Sequence, residues 1–150
     1  MGAPRAESRA LLQEIYLLDL VLALYGAYVP RLRDPEGRRL IENYLRAESD
    51  RRTRIERVLA GRGEAIAAAP RLLFRAAGRT YGGLTALLGT RAMLRGALSS
   101  SRRASKRACA LLGTASSPEL AYLSTLRARN EGTLRDDLLQ HLIETGPRAG

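Results

Sequence analysis

The stretch ENYLRAESDRRTRIERVL, residues 42–59, decides the fold. At helical spacing its apolar residues Tyr44, Leu45, Ile55, Val58 and Leu59 share one face with the preceding Ile41. Glu48, Arg51 and Arg52 fall on that same face. A charged side chain inside an apolar stripe is expensive to bury unless it is paired or binds a metal. This helix therefore carries a site, or what is left of one.

Around it, the composition is that of a helical domain. The 150 residues suffice for one domain with its own core. Ala, Leu and Arg dominate, β-branched residues are scarce, and aromatic residues amount to six Tyr and one Phe, which favours an all-α fold. The single cysteine, Cys109, excludes an intramolecular disulfide and reads as a small core residue, with a reducing cytoplasm as the expected compartment. The net charge of +10 rests almost wholly on arginine, since Lys106 is the only lysine. Such a balance suits acidic partners, among them nucleic acid and anionic lipid, although arginines spread over every helix also fit a general compositional bias.

Four helices follow from the periodicity and its punctuation. The first covers 7–29, with Leu11, Leu12, Ile15, Leu18, Leu22, Tyr25 and Val29 inward, Asp19 on or beside that face, and Pro30 as its stop. Residues 15–29 are apolar enough to resemble a signal or a membrane span. They are too short to span, contain Asp19 and end in a proline, so they read as a core helix. The first residues carry no apolar segment, and Ala6 departs from the myristoylation pattern at Gly2. A short loop returns the chain antiparallel into a second helix at 35–60, with Asp34 as N-cap, Pro35 at the first position, and Gly61 and Gly63 as its end.

Residues 61–79 read as a crossover, in which Leu72, Leu73 and Phe74 between Arg71, Arg75 and Arg79 either touch a membrane surface or pack onto the bundle. A third helix at 80–112 carries Leu84, Leu87, Leu94, Leu98, Ser101, Ser105, Cys109 and Leu112 along its stripe, and its glycines permit close packing. Ser116 and Ser117 precede the fourth helix, 118–144, with Ser117 as N-cap. That helix turns Leu120, Leu123, Leu126, Leu134, Leu138 and Leu142 inward and stops at Gly146-Pro147. Four long helices with a long connection between the second and third form an antiparallel four-helix bundle of the ferritin-like kind.

The segment GRTYGGLTALLG, residues 78–89, resembles the Gly-rich entry to the third helix of the demethoxyubiquinone hydroxylases, membrane-associated di-iron proteins of the ferritin-like superfamily. Gly78, Gly82, Thr85, Ala86, Leu87, Leu88 and Gly89 match without a gap. Leu24-Tyr25 is similar to that family's Ile-Tyr pair on the first helix, and Arg129-Asn130-Glu131 to the run leading into its second Glu-x-x-His motif. The resemblance extends over residues 11–141 and is densest at 78–89.

The resemblance implies a site built from one carboxylate on each of two helices and a Glu-x-x-His pair on each of the other two. In this chain those positions hold Leu18 with Asp19 beside it, Glu48 and Arg51, Ser101, and Gly132 and Arg135 with Glu131 adjacent. Arginine stands where both histidines belong, and His141 lies two turns past the motif. A guanidinium is always charged and donates only, so it is no metal ligand, but it replaces a metal's charge among carboxylates. The expected arrangement pairs Arg51 or Arg52 with Glu48, and Arg127 or Arg135 with Glu131, as a salt-bridged core. The pattern also allows these arginines to lie at the edge of the stripe and reach water.

The expected function is that of a catalytically inactive, metal-free accessory protein with no catalytic residue and no cofactor. Its expected partners are a membrane surface or a quinone-like lipid, touched by Leu72, Leu73 and Phe74, and a second copy or a related chain. Its expected location is the cytoplasm, at the inner face of a membrane. Two alternatives stand beside it. Asp19, Glu48, Glu131 and Asp50 as a carboxylate-only metal site would make an oxidase or hydroxylase. The basic surface, for example Arg102, Arg103, Lys106 and Arg107, would bind nucleic acid, against which stands the lack of a groove-reading motif and of aromatic residues for stacking.

Overall fold

Proline and glycine set most of the helix ends in the computed structural model, which describes the backbone over residues 3–112 and 117–146 and side chains over 5–107 and 117–146. Gly2, Cys109, Leu112, Ser116 and Pro147, each read above, have side chains outside that range. The protein is all-α among the described residues. Helix α1 spans Ala3–Tyr28, α2 Pro35–Gly61, α3 Ala68–Ala86, α4 Thr90–Leu112 and α5 Pro118–Glu144. A single 3-10 turn at Val29–Arg31, containing Pro30, closes α1.

The caps follow from the local sequence. The Asp34 carboxylate accepts from the backbone N–H of Glu36 and Gly37 at 3.1 and 3.2 Å, with Pro35 in the first turn of α2. Ser117 Oγ accepts from Leu120 N at 3.2 Å, again with a proline next to it.

The expected single helix over 80–112 is instead two helices. Gly89 adopts φ +98°, which a side chain would strain, and the chain turns there between α3 and α4. The crossover expected over 61–79 is largely helical too. Pro70 is the third residue of α3, where its missing N–H has no partner to lose, so it opens the helix rather than breaking it. The connection reduces to residues 62–67 before α3 and 87–89 after it.

Helix directions follow from what touches what. Tyr25, Tyr28 and Leu32 near the end of α1 meet Leu40, Ile41 and Tyr44 early in α2, Met93, Leu94, Ala97 and Leu98 early in α4, and Leu134 and Leu138 late in α5. At the other end, Leu11, Ile15 and Leu18 meet Ile55, Leu59 and Leu123. Helices α2 and α4 therefore run opposite to α1 and α5. Helix α3 lies outside this group and runs parallel to α1, with Phe74 stacked on Tyr16 at 6.0 Å between centroids.

Two glycines bring α3 this close to α1. A Cβ on Gly78 would come within 2.2 Å of the Leu20 carbonyl oxygen, and one on Gly82 within 2.5 Å of that of Leu24. Their spacing of one turn opposes Ala23 and Ala27, so two flat helix surfaces meet. The opposite face of α3 is left outward. Leu84 and Leu87, expected inward, are 61% and 81% exposed, because the glycine face of the same helix takes the buried side.

One stretch among the described residues, Arg5–Arg31, is long and apolar enough to cross a membrane, with a mean hydropathy of 1.5. The expectation that it is too short fails, because the apolar run belongs to a longer helix. In the fold, α1 lies between α2 and α3 and supplies both apolar clusters.

Candidate functional site

The two apolar clusters are separated by a layer of charge, and residues 42–59 supply its centre. Glu48 and Arg51 are 1% and 3% exposed. One turn apart on α2, their side chains meet: Arg51 Nη2 lies 2.8 Å from Glu48 Oε2, and its Nε donates to Oε1 at 3.0 Å. The remaining arm of the guanidinium reaches Glu14 on α1, Nη1 to Oε2 at 3.0 Å. Arg127 of α5 lies 2.5 Å from the other Glu14 oxygen, and Asn130 donates to Glu48 Oε1 at 2.8 Å. Three helices are thus tied together through two carboxylates and two guanidinium groups. Burial opposes the charge on Arg51, but the Glu48 and Glu14 carboxylates outweigh it, and its pKa is raised.

Glu131 completes the layer from α5. Tyr44 Oη donates to its Oε1 at 2.5 Å. Burial pushes the Glu131 carboxyl up to about 7; the Tyr44 bond works against the shift and the negative charge of Glu48 adds to it. Burial, with Glu131 and Glu48 close by, raises the Tyr44 phenol as well, so Tyr44 keeps its proton and remains the donor. Glu14, Leu18, Tyr44, Glu48, Arg51 and Glu131 border a gap of about 30 Å³, room for a water molecule and too small for an organic substrate.

The pairing expected for Glu48 is formed by Arg51 and not by Arg52, which turns to Asp19 at 3.0 Å and Glu56 at 3.1 Å. The pairing expected for Glu131 is not formed as an ion pair: Arg127 takes Glu14, and Arg135, 37% exposed, bonds Asp136 at 2.9 Å and Ser105 Oγ at 3.3 Å. Gly132 is half-buried beside the layer. Ser101 is buried and spends its hydroxyl on the Ala97 carbonyl at 2.7 Å, as a small residue that packs within α4. Leu18 belongs to the apolar cluster below the layer.

Asp19 belongs to a second centre. It is 1% exposed and faces α3 rather than the charge layer. Arg52, Arg71 and Arg75 approach it at 3.0, 2.9 and 3.2 Å, and Arg71 also reaches Glu56 at 2.9 Å. Of the four carboxylates of the alternative metal site, Glu48 and Glu131 come together at the gap and Asp19 and Asp50 do not. Asp19 lies on the far side of α1, Asp50 is exposed, and among the described residues no three of His, Cys, Asp and Glu converge as ligands. Nor does a di-iron centre fit between Glu14 and Glu48, since the Arg51 guanidinium already fills that place and neutralises them.

Sequence reasoning missed Glu14. Its signal was available: it sits one turn before Leu18 on the face of Leu11, Ile15 and Leu18, the same kind of interruption that singled out Glu48. The lipid-contact residues also divide. Leu72 and Leu73 are 64% and 69% exposed, whereas Phe74 is turned inward onto Tyr16. No family model, curated protein or solved structure matches this chain.

Proposed function

We propose that this protein is a metal-free, non-catalytic bundle of the ferritin-like kind, similar to the demethoxyubiquinone hydroxylases, that works as an accessory protein attached to an anionic membrane surface. The observation that carries the attachment is the outward face of α3. Leu73, Ala77, Tyr81, Leu84 and Leu88 recur at helical spacing opposite Gly78 and Gly82, with Leu72 and Leu87 beside them. The six large residues of this row are each 61–81% exposed, and Leu87 and Leu88 lie where α3 turns into α4. Contiguous exposed apolar surface of this kind marks an interaction site.

Charge selects a bilayer as the occupant. Arg75 and Arg79 border the row, Arg31 and Arg33 lie near its C-terminal end, and the chain carries a net +10. An amphipathic helix with a basic edge rests in the headgroup region, its leucines among the acyl chains. Support for the ferritin-like reading comes from the helix directions, in which the chain crosses from the end of α2 to the start of α4 through α3, and from the resemblance over residues 78–89. Support for the loss of catalysis comes from Arg51 between two carboxylates and from a gap that admits only water. Attachment of this sort would hold the bundle beside a quinone-like lipid or a related membrane-bound chain.

Flotation with phosphatidylglycerol vesicles tests the attachment. The protein is expected to float, and L84E/L88E to stay in solution. Each leucine withdrawn from water contributes about 1.5–3 kcal/mol, so losing two weakens binding about a hundredfold or more. Wild-type protein remaining wholly in solution, or self-associating through this face without binding vesicles, would contradict the proposal.

A further inference from the structure

A groove of about 800 Å³ runs along α1 between α2 and α3, with Leu22, Gly26 and Pro30 as its apolar floor and Arg31, Arg52, Arg75 and Arg79 around it. Its size is that of a small-molecule site. The acid at its base, Asp19, is fully buried and already holds Arg52, Arg71 and Arg75, with Glu56 sharing Arg52 and Arg71. Arg75 commits only its Nε–H to Asp19 and keeps the other face of its guanidinium for the groove. Arg31 and Arg79 are exposed and have no carboxylate partner among the described residues. A guanidinium keeps its charge at every accessible pH, so the groove presents at least two uncompensated positive charges above an apolar strip.

We infer that this groove binds a phosphate monoester, with Arg31 and Arg79 clamping the dianion, Arg75 held in place by Asp19 as a third donor, and the strip at Leu22 and Gly26 accepting the apolar part of the ligand. Planar guanidinium groups match phosphate oxygens in pairs, and two unpaired arginines match the charge of a monoester better than that of a singly charged diester or carboxylate. The ester is carried either by a lipid such as phosphatidic acid or by a soluble phosphorylated molecule. The inference does not rest on attachment through the leucines of α3, since the groove lies beside that row.

Titration calorimetry with glycerol 3-phosphate at low salt, on the full chain, tests it. Saturable binding is expected for the wild type, weakened roughly tenfold or more in R31Q/R79Q, because charge-assisted hydrogen bonds are lost. A control, R102Q/R103Q, removes the same charge from α4 and is expected to bind as the wild type does. Neither Arg31 nor Arg79 joins an ion pair among the described residues, so the thermal melt of R31Q/R79Q should be unchanged, and R79Q alone should weaken binding in the same direction. Phosphatidic acid vesicles that displace glycerol 3-phosphate identify the source as lipid, and vesicles that do not identify it as soluble; either result upholds the site. Absence of saturable binding, equal affinity in R31Q/R79Q, or equal loss in R102Q/R103Q would overturn it.

Discussion

Replacing Arg51 with methionine is expected to destabilise the protein by about 3–5 kcal/mol, as removing one partner of a buried ion pair generally does. The cost is mostly that of the charge left behind. Glu48 is 1% exposed and among the described residues would keep only the Asn130 amide as a donor, while Glu14 would keep Arg127. Glu48→Gln alone should also destabilise, because it leaves Arg51 with Glu14 as its one carboxylate. The double change E48Q/R51M should cost less than the two single changes added together, with a coupling of about 1–3 kcal/mol, since it removes both charges and fills the space with uncharged atoms. Chemical denaturation of the four proteins measures this cycle. Single changes that leave stability untouched would show that the pair is not what holds the layer.

Stability should also fall as pH rises from about 5 to about 7, and Glu131 is the reason. Its carboxyl, ordinarily 4.5, is raised to about 7 in the folded chain. The folded state therefore binds this proton more tightly than the unfolded state does. The resulting stabilisation is complete below pH 4.5 and is lost as pH climbs through the folded-state value, reaching about 3 kcal/mol across the window. Glu131→Gln keeps an acceptor for Tyr44 and carries no charge at any pH, so E131Q should lose this slope and exceed the wild type above pH 7. Thermal melts of both proteins over this range decide it, and parallel profiles would refute the assignment to Glu131.

The helix of residues 42–59 was legible because two periodic signals coincided in it. The apolar stripe fixed the buried face, and Glu48 and Arg51 interrupted that stripe at a spacing of one turn. Asp34-Pro35 and Ser117-Pro118 were legible for the same kind of reason, since their capping chemistry is local. Helix α3 was not. Pro70 looks alike at a break and in a first turn, and Gly78 and Gly82 weaken a helix taken alone while being required where Leu20 and Leu24 present their carbonyls. Only the neighbour decides, and α1 is far from α3 in sequence. The partners of Arg52 and Arg127 were hidden likewise. Each has several acids within reach along the chain, and the choice of Asp19 and Glu14 follows from how α1 is rotated between α2 and α3.

That rotation separates two centres that a linear reading merges. Asp19 and Glu48 both interrupt apolar stripes and both end up with arginine. Asp19 fastens α3 to the outside of the bundle through Arg71 and Arg75, whereas Glu48 and Glu14 fasten α1, α2 and α5 to one another through Arg51 and Arg127. Carboxylates that a metal would gather at one point are in this chain distributed over two points, each neutralised by guanidinium groups.

The most direct test of the account is the metal content of protein produced with iron and manganese in excess and measured by plasma mass spectrometry. With Arg51 fixed between Glu14 and Glu48, far less than one metal ion per chain is expected. About two ions per chain, the loading of a di-metal bundle, would mean that the guanidinium leaves the layer and that the protein is an oxidase or hydroxylase after all.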